Sequence, residues 1–234
     1  MARIIDESFE GTGYEESWTE TVDSGCTVNE DSTGPGSLPV GGGTQCLQIV
    51  KSATTDARAS TTRDYGSQQS VAYTRVHAYF SAWSIPSGTA SYCASCGNSA
   101  NPVTTGASTY FAVYNNAGTY VWRFGYHIAT GWQFITGTAA VQLNTWYRLE
   151  FEINNGTLSA RVDGTQIGSP VSGVTLDRGT PRYWHAGTYF GGTATITYYL
   201  DLFAVDNADW VGAESAGGLS IPKLMRYYQR LRTA

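Results

Sequence analysis

The sequence predicts an all-β protein built of antiparallel sheets, and three observations carry the prediction. Apolar and polar residues alternate with period 2 over the long runs, the spacing of a strand with one buried face. Pairs of such runs are separated by turns containing Asn and Gly, which tolerate φ > 0. No stretch before the C-terminal tail shows a convincing helical period.

The elements follow in order. "MARIIDESFE" lacks an apolar h-region, so no signal peptide is visible. "GPGSLPVGGGTQ" (34–45) is a loop by composition. "VAYTRVHAYFSAW" alternates from Val71 to Trp83. "STYFAVYNNAGTYVWRFGYH" holds two alternating runs around "NNAG", and "TWYRLEFEINNGTLSARVDGTQIG" repeats the pattern around "NNG". Each is a hairpin. "GTATITYYLDLFAVDNADW" is the last long strand, with a polar end from Asp206 to Asp209. Many short strands with turns between them mean a sandwich or barrel, not βαβ units.

Alternation assigns faces. In "WYRLEFEI", Tyr147, Leu149, Phe151 and Ile153 point one way, and Trp146, Arg148, Glu150 and Glu152 the other. Leu158, Ala160 and Val162 join the apolar side, as do Val76, Ala78 and Phe80. The opposite face gathers Arg75, His77, Tyr79, Trp146, Arg148, Glu150 and Arg161, a mixture suited to a polar ligand such as a carbohydrate. The stripe Tyr120, Trp122, Phe124 and Tyr126 reads as core, although aromatic faces also suit pyranose rings.

At 234 residues the chain is long enough for one large β-domain. Its 41% hydrophobic and 13% aromatic content fills a core and excludes global disorder. Only 14% of residues are charged, so surface polarity rests on Thr, Ser, Asn and Gly. Lys223, Arg226, Arg230 and Arg232 stand in a tail with no acidic residue after Glu214, which leaves the body strongly acidic. An acidic body excludes a general nucleic-acid binder. No apolar run approaches the ~18 residues that span a bilayer. The chain divides into a sandwich, residues 1–212, and a Gly linker with a basic, aromatic tail, residues 213–234.

Cys93 and Cys96 have C-x-x-C spacing, but no second pair or paired His completes a zinc site. No βαβ pattern makes them thioredoxin-like. With Cys26 and Cys46, they read as two local disulfides or as thiols in loops. Disulfides are the preferred reading, and they imply an oxidising final location.

"SFEGTG", "WYRLEFEINNGTLSARVDGTQI" and "YYLDLFAVDNADWVG" together resemble the concanavalin A-like lectin/glucanase superfamily, the laminin-G-like jelly rolls, over residues 6–212. That resemblance implies two curved antiparallel sheets, often with a carbohydrate groove. It also likens Asp201 to a position that helps bind calcium, but Leu200 stands where a neighbouring carboxylate is sometimes found, and no cofactor is expected. The glucanase E-x-D-x-x-E strand is missing. "YWHAGTYFGG" (183–192) is similar to the Y-F-K-x-G-x-Y strand of alginate lyases, matching Tyr183, His185 and Tyr189, with His185 replacing the Lys. The companion Q-x-H strand is absent, and His77 would have to substitute as base, with Arg75 holding a uronate carboxylate.

In the tail, Ile221, Leu224, Tyr228 and Leu231 fall near helical spacing, with Lys223, Arg226, Tyr227 and Arg230 among them. Pro222 suits the first turn of such a helix. A helix this short is marginal alone and gains order by docking on a partner. The tail is also similar to C-terminal peptides of bacteriophage structural proteins. The expectation is therefore a non-catalytic bacteriophage virion protein, on the virion surface as a head-decoration or tail-associated component. Its partners would be other virion proteins through the tail, host or environmental glycans, and further copies of itself, with no nucleic acid or membrane. The rival readings are an alginate-type polysaccharide lyase and a cellular carbohydrate-binding module.

Overall fold

The alternating runs become fifteen β-strands in the computed structural model, which describes residues 3–10, 14, 17–39, 41–54, 57–100, 106–188 and 193–211. In chain order they are β1 (Arg3–Glu7), β2 (Trp18–Val22), β3 (Thr27–Ser32), β4 (Cys46–Lys51), β5 (Ala59–Asp64), β6 (Val71–Ser84), β7 (Ala90–Gly97) and β8 (Ala107–Asn116). They continue as β9 (Thr119–Ile128), β10 (Gly131–Ala140), β11 (Trp146–Asn154), β12 (Thr157–Val162), β13 (Thr165–Gln166), β14 (Tyr183–Thr188) and β15 (Thr195–Asp206). No helix of the described residues is long and apolar enough to cross a membrane. The tail, with Ile221, Pro222, Lys223, Leu224, Arg226, Tyr227, Tyr228 and Arg230, lies outside the described residues.

Two antiparallel sheets make the sandwich. One has eight strands in the order β13–β12–β11–β6–β15–β4–β3, with β1 also paired to β15. The other has seven, in the order β10–β9–β8–β7–β14–β5–β2. β6 between β11 and β15, and β14 between β7 and β5, mark the crossovers that fold hairpins back into a jelly roll. The "NNG" hairpin turns at Asn155 (φ 47°) and Gly156 (φ 86°), as its chemistry predicts. The other expected hairpin turns within "NNAG", at Ala117 and Gly118, and the Asn115 side chain accepts a hydrogen bond from the Gly118 N–H at 2.7 Å.

Leu149, Phe151 and Ile153 of β11 face Trp122 and Phe124 of β9 across the core, with the Phe124 and Phe151 rings 5.5 Å apart. The aromatic stripe is thus core. Full burial of each such side chain contributes about 1.5–3 kcal/mol. Trp184 reaches from one sheet to the other and donates its indole N–H to Thr74 Oγ1 at 3.1 Å. Lys51 is also buried, and its Nζ donates to the carbonyls of Ser52, Thr54 and Ala194 at 3.1, 3.2 and 2.9 Å. Three acceptors stand in for the water that a buried ammonium loses.

The cysteines correct the disulfide expectation, because Cys26, Cys46, Cys93 and Cys96 are all buried thiols. Cys93 and Cys96 are three residues apart on extended β7, roughly 10 Å, beyond the ~7 Å that a disulfide spans. The Cys93 thiol donates to the Phe111 carbonyl at 3.2 Å, and Cys96 Sγ meets Thr109 Oγ1 at 3.0 Å. Cys26 precedes Thr27, whose partner is Val50, so it stands near the Lys51 end of β4. Cys46 occupies the other end, about 16 Å along the strand.

Candidate functional site

The seven residues expected to bind a polar ligand do share the outer face of the eight-stranded sheet. Register sets them in rows: Arg161, Glu150 and Arg75; Arg148, His77 and Asp201; Trp146, Tyr79 and Tyr199. Opposite charges alternate across the strands, and Arg148 Nε donates to Glu150 Oε2 at 3.1 Å. Arg75 Nε donates to the Leu202 carbonyl at 3.3 Å, where β15 bulges between Asp201 and Ala204.

This layer is partly covered. The composition-assigned loop lies on it: Ser37 O accepts from Trp146 Nε1 at 3.0 Å, and Gly42 lies so close to Asp201 that a Cβ there would collide with the carboxylate. On the other side Trp210 lies 3.9 Å from the Arg161 guanidinium and packs against Tyr73. Arg75 and Glu150 are 1% and 2% exposed. Of the polar face the sequence marks as a ligand surface, Arg75 and Glu150 are thus out of reach of solvent, while His77, Tyr79, Trp146, Arg148 and Arg161 stay partly exposed.

The outer face of the seven-stranded sheet has the opposite character. A second buried cluster, separate from the core, gathers there around Tyr92 and Tyr110, with Tyr114 and Trp132 packed against it. Tyr92 and Tyr110 stack at 3.8 Å, and Tyr110 meets Trp132 at 4.7 Å and Phe134 at 6.4 Å. Between the strands of Tyr110 and Phe134 stands Gly125, paired with both. A Cβ at Gly125 would collide with the Tyr110 ring, so glycine is what lets that ring lie across β9. Burial pushes the Tyr110 phenol up to about 12.

Cations and a His–Asp pair flank this row. The Arg123 guanidinium lies 3.2 Å from the Tyr114 ring and 4.6 Å from that of Phe134, and Arg178 lies 5.1 Å from Trp132. His127 Nδ1 meets Asp177 Oδ1 at 2.5 Å, and the imidazole stands edge-on to Trp132 at 5.0 Å. Aromatic faces bordered by guanidinium groups stack on sugar rings and donate to their oxygens. Sequence reading missed this row because the stripe on the buried face of β9 drew attention away from Arg123, Gly125 and His127. The available signal was Trp132 and Phe134 two residues apart in a strand without charges.

The lyase-like strand, β14, lies in this same sheet. His185 faces outward and is completely buried, its Nδ1 sharing a hydrogen bond with Thr62 Oγ1 at 2.8 Å. Burial pushes its pKa down to about 3, the Ser99 backbone opposing the shift. His77, which would have to supply the base, is on the far face of the other sheet. Burial first, then Arg75 and Arg148, pushes it down to about 3 as well. The pairing of His77 and Arg75 with the β14 motif is thereby corrected: two sheets separate them. Tyr189 lies outside the described residues. No group of three His, Cys, Asp or Glu able to hold a metal gathers among the described residues.

No family model matches the chain, and no curated protein matches it. Solved structures share its architecture. The chain is similar to cellulose induced protein Cip1, at 12% identity and a TM-score of 0.65, over 90% of this chain and 100% of that one. It is also similar to alginate lyase A1-II', a member of polysaccharide lyase family 7, at 14% identity and TM-score 0.50, over 70% of this chain and 80% of that one. Domain 4 of AbnA, a GH43 extracellular arabinanase from Geobacillus stearothermophilus solved with arabinotriose, matches at 11% identity and TM-score 0.51, over 85% of this chain and 84% of that one. Likeness at such identities shows the fold alone: a jelly-roll sandwich.

Proposed function

We propose that the protein is a non-catalytic carbohydrate-binding sandwich, carried on a bacteriophage particle by its C-terminal segment as a head-decoration or tail-associated component. The observation that carries the binding role is the accessible pair Trp132 and Phe134, backed by the buried rings of Tyr92 and Tyr110 and bordered by Arg123 and Arg178. Against catalysis stands His185: a neutral, fully buried imidazole cannot provide the positive charge that a lysine brings to a uronate carboxylate. The virion role rests on the basic, aromatic tail and its likeness to phage peptides.

The rival lyase reading has one observation in its favour, the His127–Asp177 pair beside Trp132, an arrangement that orients an imidazole as a general base. One experiment separates the readings. The protein and its Trp132→Ala and Trp146→Ala variants are passed over a glycan array, and alginate is assayed for unsaturated products by ultraviolet absorbance. Binding lost in Trp132→Ala and kept in Trp146→Ala, with no unsaturated product, is the expected result. Turnover abolished by His127→Ala would replace the binding role with catalysis.

A further inference from the structure

β10 is the last strand of the seven-stranded sheet and, among the described residues, pairs only with β9. Two-residue periodicity sets the pairs Ile128–Gly131, Tyr126–Gln133 and Phe124–Ile135 as those bonded to β9. The backbone groups of Trp132 and Phe134 then point out of the sheet edge, and those of Thr136 do so beside Gly168, just before the register of β10 shifts. No backbone hydrogen bond outside the strand pairings involves residues 131–140 among the described residues. Free edges of this length are normally blunted by charges, proline or shortness. The other path-end strands obey this: β2 carries Glu20, β3 carries Glu30, and β13 has two residues. β10 has ten residues and neither charge nor proline. From Phe124 to Tyr147 the chain contains no Asp, Glu, Lys or Arg. Among the described residues, two of the three large apolar side chains left exposed, Phe134 at 45% and Leu143 at 38%, fall in this stretch.

We propose that this edge is a homodimer interface, in which β10 pairs antiparallel with β10 of a second copy about a twofold axis at Phe134. The occupant follows from symmetry. In an isologous contact each residue near the axis meets its own mate, so any charge there repels itself. A neutral strand in an acidic chain satisfies that condition. Phe134 then faces Phe134, and Trp132 faces Thr136, aromatic pairs of the kind that stabilise adjoining strands. The seven-stranded sheets of two copies become one continuous sheet, and their aromatic rows adjoin.

Sedimentation velocity of the full chain tests this over a broad concentration range. The wild type should dimerise reversibly, whereas Phe134→Lys and Phe134→Glu should each be monomeric with unchanged melting temperature, since the side chain is exposed. Mixing the two variants in equal amounts should restore a dimer, because the mates now carry opposite charges. A wild type that stays monomeric throughout, its edge covered by its own tail or by another protein, overturns the proposal. So does a dimer that persists in both single variants. Because Phe134 also belongs to the aromatic row, glycan binding is read separately, in the Trp132→Ala variant.

Discussion

His77 and His185 lie on opposite outer faces of the sandwich, and both are held down to about 3, chiefly by burial. An unfolded chain binds protons at these residues below roughly pH 6.5, while the native protein does not. Stability is therefore unaffected by them above about pH 6.5 and falls with acid between about 6.5 and 3, by about 1.4 kcal/mol per pH unit for each histidine. Urea denaturation at pH 7 and pH 5 measures this. His185→Gln should lose markedly less stability between the two than the wild type, and an equal loss would show that His185 does not set the acid sensitivity. Gly125 offers a second residue-scale test. Gly125→Ala forces the Tyr110 ring aside, and thermal unfolding should show a loss of about 1–3 kcal/mol together with weaker glycan retention. Neither behaviour was legible in the sequence. It shows that a histidine alternates outward, but not that a loop distant in the chain then covers it.

At the scale of the element, the two faces of β11 and the "NNG" turn were readable because they depend on neighbours two to four residues away. The "NNAG" turn was readable too, and it falls on Ala117–Gly118, where the Asn115 side chain is held by the Ile85 carbonyl at 2.6 Å as well as by the Gly118 N–H. What the pattern of β11 could not show was which polar face stays open. That depends on the 34–45 loop and on Trp210, contacts made across the fold. β7 teaches the same lesson through its thiols, whose C-x-x-C spacing suggests a link that extended geometry forbids. Burial pushes the Cys96 thiol up to about 12 and the Cys93 thiol higher still. A thiol reagent should thus leave Cys93 and Cys96 unmodified in the native protein, and all four cysteines should react after denaturation without prior reduction. Thiols that appear only after reductant is added would restore the disulfide reading.

For the whole molecule, the sequence supported an antiparallel sandwich, and short motifs pointed to the jelly-roll variety. The placement of the aromatic row was not readable, since Tyr92, Tyr110, Gly125 and Trp132 come from four strands that adjoin only in the finished sheet. The proposed division into body and attachment tail makes a prediction at this scale. Deleting residues 217–234 should leave a soluble sandwich with an unaltered melting temperature that no longer joins the particle. Normal occupancy of the truncated protein on purified particles would remove the tail from the attachment role.

The pairing of β1 with β15 places Arg3 opposite Asp206, so the two ends of the folded body lie about 5 Å apart in neighbouring strands. A body entered and left at one spot is a natural guest within a host protein: it can be spliced into a surface turn without prying that turn apart. The same closeness favours circular permutation, with β1 and β15 joined by a short peptide and new ends opened in the exposed β8–β9 turn. A permutant of this kind would present the aromatic row from a tether of the experimenter's choosing.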